Sequence, residues 1–193
     1  MHTTANSETA TVVVVDDERD VAELYTTWLG TAHDVRSAYD GAGALDRIDE
    51  SVDVVFLDRQ MPEMSGDEVL DVLDDRGLDC RVVMVTAVDP DFDIIDMPFD
   101  DYLTKPVTRA DLLETVDSML TRDAYDDQLQ EYFAMASKKA TLESEKNPVE
   151  LDANEEYREV SQRVEELREE ADTAATEIDD FEAAFRDFPS GQS

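Results

Sequence analysis

Three Val-rich runs constrain this chain more than any other feature: Thr11–Val15, Val52–Leu57 and Arg81–Val85. Consecutive apolar, β-branched residues bounded by polar ones read as strands buried on both faces. Each run ends on a polar side chain: Asp16 and Asp17 after the first, Asp58 after the second, Thr86 after the third. Between and beyond them lie amphipathic segments. Asp20–Leu29 carries Val21, Leu24, Tyr25 and Trp28 at helical spacing, Gly66–Leu73 repeats the pattern before Gly77, and Arg109–Leu120 places Leu112, Leu113, Val116 and Leu120 on one face. Ala42–Ile48 predicts a shorter helix, and Val35–Ala38 and Asp101–Thr104 predict two further strands. Alternation of this kind with short links predicts parallel strands, crossover helices on both faces and right-handed connections. The expected fold is therefore α/β, a doubly wound sheet of five parallel strands.

One crossover breaks the pattern. Between Thr86 and Tyr102 stand Pro90 and Pro98, with no run long enough for a good helix, and a single turn around Phe92–Ile95 is the most the segment supports.

From Thr121 onward the strand signals stop. Ala124–Leu142 carries Tyr125, Leu129, Tyr132 or Phe133, Ala136 and Ala140, and Ser144–Pro148 interrupts it. Asp152 and Glu155 form a candidate capping box. Beyond them Tyr157, Val160, Val164, Leu167, Ala171, Ala174, Ile178, Phe181, Phe185 and Phe188 recur in steps of three and four, the seam of a helix that pairs with another helix. Two arrangements satisfy it: an antiparallel hairpin with the preceding helix, or a coiled coil with a second subunit. The second helix is the longer, which leaves its aromatic end uncovered, so a hairpin that also forms a homodimer is favoured. The domains read as a disordered N-terminus over 1–10, the α/β domain over 11–121 and a helical domain over 122–193.

Composition narrows the class of partner. Against 16 Lys and Arg stand 50 Asp and Glu, a formal net charge of -34. Such a chain repels nucleic acid and anionic membrane surfaces, and its self-repulsion is relieved only where salt shortens the Debye length to about 3 Å. The bias resembles that of proteins from salt-accumulating haloarchaea. Cys80 is the single cysteine, which excludes an intrachain disulfide, and its Val neighbours read it as a small buried side chain. His2 and His33 read as surface residues. No apolar run approaches a membrane span and the polar start does not read as a signal peptide, so a cytoplasmic protein is expected.

Doubly wound topology brings Asp16, Asp17, Asp58 and Thr86 to one edge of the sheet, with Lys105 after the last strand facing the same crevice. Two carboxylates about 4 Å apart repel by about 4 kcal/mol at an effective dielectric of roughly 20. A cluster of three needs a cation, and hard oxygens with room for water and phosphate suit Mg²⁺.

The acidic pair, the carboxylate before Met61-Pro62, Gly66, Thr86-Ala87 and Tyr102-x-x-Lys105-Pro106 together resemble the receiver domain of two-component response regulators. The resemblance covers about Thr11–Leu120. It implies that Asp58 is the phosphoacceptor for a sensor histidine kinase, in a Mg²⁺-dependent reaction. Asp17 and Asp58 would be direct metal ligands with the backbone carbonyl of Gln60, and Asp16 would act mainly through water. Lys105 would pair with the phosphoryl group, Thr86 and Tyr102 would form the switch, and Pro106 would be the cis-proline that aims the lysine. Gln60 and Val88 stand where the family tunes hydrolysis, and an aliphatic Val88 implies a long-lived phosphoryl group. The family is a phosphoacceptor rather than a turnover enzyme. A phosphatase with an Asp nucleophile would need an acid where Gln60 stands.

The tail resembles the haloarchaeal HalX domain. From Arg122 it holds 21 acidic and 8 basic residues, with Lys138-Lys139 its one basic cluster. A downstream protein partner is favoured over the alternative, a DNA-binding transcriptional regulator, because no helix-turn-helix spacing or basic helix is present. Dialysis from molar to low salt is expected to expand or unfold the protein, seen as loss of circular dichroism; an unchanged spectrum contradicts the halophilic reading.

Overall fold

A computed structural model describes residues 9–123 and 127–175. Five parallel strands, β1 (Thr11–Val15), β2 (Asp34–Ala38), β3 (Val54–Leu57), β4 (Arg81–Thr86) and β5 (Asp101–Thr104), lie in the order β2-β1-β3-β4-β5. Val12 stands beside both Val35 and Val54, and Phe56 beside Val83. The strand order reverses between β1 and β3, which opens the crevice where their carboxyl ends diverge. The doubly wound α/β architecture expected from the alternation is present.

Each central strand is buried on both faces, as its unbroken apolar run requires. On one face Val12, Val14, Val54, Phe56, Val83 and Val85 pack on α1 (Arg19–Leu29) and α4 (Arg109–Asp123) through Leu29, Leu112 and Met119. On the other, Val13, Val15, Val55, Leu57 and Met84 pack on α2 (Gly41–Arg47) and α3 (Gly66–Arg76). Helix α3 is set firmly at both ends. Ser65 Oγ accepts from Glu68 N–H at 3.2 Å while Glu68 Oε2 accepts from Ser65 N–H at 2.8 Å, a capping box. Gly77 closes the helix in the left-handed region, at φ 63°.

Between β4 and β5 no α-helix forms. A 3₁₀ turn, Phe92–Asp96, takes its place, too short to cover the sheet beside it. The tail does so instead. Helix α5 (Asp127–Glu145), the short α6 (Pro148–Ala153) and α7 (Glu155–Ala175) follow α4, and Leu142, Leu151 and Tyr157 join the core made by Ile94, Phe99, Tyr102 and Met84. Helices α5 and α7 also form their own seam, with Leu129, Tyr132, Phe133 and Ala136 against Val160, Val164 and Leu167. Tyr157 donates to Glu143 at 2.7 Å and Arg163 donates to Glu131 at 3.3 Å, which fixes the pair as antiparallel. The hairpin arrangement is thus the one adopted. The remainder of the seam, from Ala171 to Phe188, lies outside the residues whose side chains are described, as do Tyr125 and His2.

Three expectations are corrected. The capping box that matters in the tail is Asn147 with Glu150, opening α6 with Pro148 in its first turn. Asp152 therefore sits inside a helix, and α7 starts after Asn154, whose Oδ1 accepts from Tyr157 N–H at 2.8 Å. His33 is buried, because the chain leaving α1 folds it under the first strand, where its Nδ1 accepts from Ala10 N–H at 3.3 Å. Ala10 is buried too, while the rest of the 1–10 stretch lies largely outside the described residues. Cys80 is only half-buried, at the entrance of β4, and burial pushes its thiol up to about 11.

Leu142 is fully buried against the α/β core. Leu142→Ala is expected to cost about 2–5 kcal/mol and to lower the denaturant midpoint of the α/β domain itself. An unchanged midpoint there would mean the tail is not part of that core.

Candidate functional site

The carboxyl ends of β1 and β3 are adjacent, so the residues that follow them meet. Asp16 N–H donates to Ala38 carbonyl at 3.1 Å and Asp58 N–H donates to Val15 carbonyl at 2.9 Å. These two ladder continuations hold both acids at the crevice. Carboxylate oxygens of Asp16, Asp17 and Asp58 lie within 4.8 Å of one another. Asp16 and Asp58 are buried, and Asp17 is exposed at the mouth. From the end of β5, Lys105 Nζ donates to Asp16 Oδ2 at 2.7 Å and to Asp58 Oδ2 at 3.1 Å. The Lys105–Pro106 peptide is cis, and Lys105 N–H donates to Thr86 carbonyl at 2.8 Å, tying the β4 and β5 ends together.

The electrostatics follow from burial. Removal from water raises the Asp16 pKa, and this outweighs the bonds from Lys105 and from Glu18 N–H. Burial works against the Lys105 ammonium as well, yet the two carboxylates beside it prevail and its pKa is raised. The lysine is thus held cationic by the acids it neutralises.

The loop after Asp58 is drawn tight against α3. Gly66 N–H donates to Arg59 carbonyl at 2.8 Å. A Cβ on Gly66 would stand 2.8 Å from Arg59 Cα and 2.9 Å from the Asp58 carbonyl carbon. Only glycine permits this approach, which is why Gly66 stands eight residues after the acid. Gln60 N–H donates to Asp58 Oδ1 at 3.2 Å. Glu63 occupies the left-handed region at φ 68°, a conformation a non-glycine residue adopts at some cost.

Thr86 and Tyr102 complete the surroundings. Thr86 is buried, and its Oγ1 accepts from Val88 N–H at 3.2 Å. Tyr102 is buried with its ring turned inward, and its hydroxyl donates to Val88 carbonyl at 2.8 Å. Val88 is therefore gripped from both sides.

The fold and these groups agree with the known families. Residues 12–117 match the response regulator receiver domain and residues 121–186 match the HalX domain. The chain belongs to the response regulator receiver family. A protein of Haloferax volcanii, named as a candidate transcriptional regulator, is 46% identical over 164 residues, covering 84% of this chain and 28% of that protein. The transcriptional regulatory protein CutR of Streptomyces coelicolor is 39% identical over 110 residues, covering 54% of this chain and 51% of CutR. The chain thus spans about half or less of the curated relatives it matches. Among solved structures, the BeF₃-activated DrrB receiver domain is 26% identical with a TM-score of 0.55, covering 59% of this chain and 99% of that one. A Francisella response regulator receiver domain is 28% identical with a TM-score of 0.53, covering 58% of this chain and 98% of that one.

The receiver gathers Asp16, Asp17, Asp58 and Lys105 into one cluster, with Thr86 and Tyr102 beside Val88 and the Gln60 N–H, rather than its carbonyl, bonded to Asp58. Sequence reasoning missed Arg59. Its guanidinium is largely buried, donates to Asp67 on α3 at 3.1 and 3.2 Å and pairs with Asp93 in the 3₁₀ turn. Burial opposes its charge, but the two aspartates raise its pKa nonetheless. The available signal was its scarcity: a cation directly after Asp58 in so acidic a chain needs acidic partners. Lys138 was missed as well. It is buried, and its Nζ donates to Ile95 carbonyl at 2.9 Å.

Proposed function

We propose that Asp58 accepts a phosphoryl group from the phosphohistidine of a sensor histidine kinase, the partner a receiver domain implies. One Asp58 carboxylate oxygen forms the new P–O bond as the P–N bond breaks, and the electron pair of that bond returns to the imidazole. The observation that carries this reading is the convergence of three strand-end acids and one lysine on a single crevice. Phosphoryl transfer asks a protein for in-line positioning and charge neutralisation rather than for covalent help, and this crevice offers both.

The donor set fits Mg²⁺: clustered hard oxygens, one exposed, with space for water. Asp17 and Asp58 would hold the ion with the Gln60 carbonyl, Asp16 would hold its water, and the bound ion would offset charge on the phosphoryl oxygens. Lys105 is already cationic and already on Asp58, so its ammonium moves from carboxylate to phosphoryl oxygen with little rearrangement. The Thr86 hydroxyl donates to a second oxygen. Val88 presents no group that orients water for hydrolysis, which supports slow self-dephosphorylation and a switch rather than a catalyst of turnover.

Output runs through the tail. Relatives of this chain are named as transcriptional regulators. Burial of Lys138 removes half of the tail's one basic cluster from the surface, which supports protein contact over direct DNA contact. Because Leu129, Phe133, Val160 and Leu167 are used within the hairpin, a homodimer through the tail would draw on seam positions from Ala171 onward.

Asp58→Asn is expected to abolish labelling by acetyl phosphate in Mg²⁺ and molar KCl. Labelling of the variant at the wild-type rate would refute the assignment.

A further inference from the structure

We propose that Arg59 is a positioning residue that prolongs the life of the aspartyl phosphate by holding the Val88 wall shut against water. The proposal deepens the reading of Asp58 as phosphoacceptor and rests on it. A cleft of about 710 Å³ runs between the loop after β3 and the segment after β4, with Gln60 and Pro62 on one side and Val88, Asp91 and Asp93 on the other. Each wall begins at the site itself: Gln60 N–H is bonded to Asp58 Oδ1 and Val88 N–H to Thr86 Oγ1. Arg59 spans the cleft. Its Nε and Nη2 form a fork on Asp67, in the first turn of α3, and Nη2 also pairs with Asp93 in the 3₁₀ turn. Burial raises the Tyr102 pKa, and the guanidinium beside its hydroxyl opposes that rise. A rigid fork with a donor left for a second carboxylate is what arginine offers and lysine does not. With 11% of the Arg59 side chain exposed, the brace is screened little even in molar salt.

The two walls are unequal. The acceptor loop is pinned without the Arg59 side chain, by the close main-chain approach at Gly66 and by the capping box of Ser65 and Glu68. The Val88 side has only a 3₁₀ turn of its own, so the brace bears chiefly on it. What the brace preserves is a dry wall. The Val88 side chain is aliphatic, its N–H is given to Thr86 Oγ1, and its carbonyl takes the Tyr102 hydroxyl. Both main-chain groups are thus engaged and neither holds a water. Hydrolysis needs one: a water oxygen forms the new P–O bond as the bond to Asp58 breaks, the carboxylate keeps the electron pair and a proton passes to solvent. Without the guanidinium, Asp67 and Asp93 repel, the Val88 segment shifts outward, and its N–H and carbonyl become free to bind that water. Arg59 acts on the phosphate only through Val88.

The test labels the full chain with acetyl phosphate in Mg²⁺ and molar KCl, removes the donor and follows decay of the aspartyl phosphate. Arg59→Met is expected to lose it about tenfold faster than wild type, the rate equivalent of one charge-assisted hydrogen bond, with Mg²⁺ affinity unchanged. In the same variant without phosphate, the Val88, Ile94 and Met97 amides, bonded to Thr86 Oγ1 and to the Asp91 and Ile94 carbonyls, are expected to exchange faster with solvent. A wild-type lifetime in Arg59→Met overturns the proposal. So does a loss of Mg²⁺ affinity that matches the gain in hydrolysis, which marks general loosening of the site. Wild type that takes no label removes the phosphoacceptor reading and the proposal with it, whereas wild type that labels, with unchanged amide exchange in the variant, overturns the brace alone. Should Arg59→Met fail to fold, Asp93→Asn, at a side chain 54% exposed, is expected to show the same faster decay, and a wild-type lifetime there overturns the proposal.

Discussion

One ammonium between two buried carboxylates holds the working end of this protein together. Asp16 and Asp58 stand at the ends of adjacent strands because the sheet order places them there, and at that distance they repel. Lys105, delivered from the far strand, bonds both. Removing a single partner from a buried pair of this kind is costly because the remaining charge is stranded. The interaction therefore does two things. It makes an acidic crevice compatible with a folded protein, and it keeps a positive charge on the Asp58 carboxylate in that crevice.

A second dependence runs along the β4–β5 connection. Pro90 and Pro98 bracket a segment that forms only a 3₁₀ turn, which leaves Ile94, Phe99 and Tyr102 in want of cover. Leu142, Leu151 and Tyr157 supply it from the tail. The receiver and its appendage are thus continuous in their packing even though the chain separates them. A helix of the tail stands where a crossover helix would otherwise cover these strands. Lys138 and Lys146 tie the tail to Ile95 and Asp91, in the same connection as Val88, the residue held by both Thr86 and Tyr102.

Much of this was legible in the residues. Unbroken Val runs announce doubly buried strands, and polar residues at their ends announce the crevice, since a buried polar side chain needs partners that an apolar core does not offer. Asp16, Asp58 and Lys105 could be assigned to one site from topology alone. What lay hidden was pairing between distant polar groups. Arg59 gave no pattern because its partners, Asp67 and Asp93, are two of many acids. Lys138 read only as part of a basic cluster because its helix is amphipathic on two sides, one facing α7 and one facing the sheet edge, and periodicity reports a single apolar stripe more readily than two. His33 misled for a related reason: a lone polar residue after a helix reads as surface unless the strand that covers it is known. The Asn147–Glu150 box was obscured by an equally good signal five residues later, and Pro148 in the first turn decides between them.

Calorimetric titration of Mg²⁺ into the full chain in molar KCl examines the central claim most directly, because a net charge of -34 attracts cations everywhere but only the strand-end cluster should bind one stoichiometrically. One ion per chain is predicted, with affinity at least about tenfold weaker in Asp17→Asn, whose carboxylate is exposed at the mouth of the cluster. Stoichiometric binding indifferent to that substitution, or none at all in the folded wild type, would contradict the account.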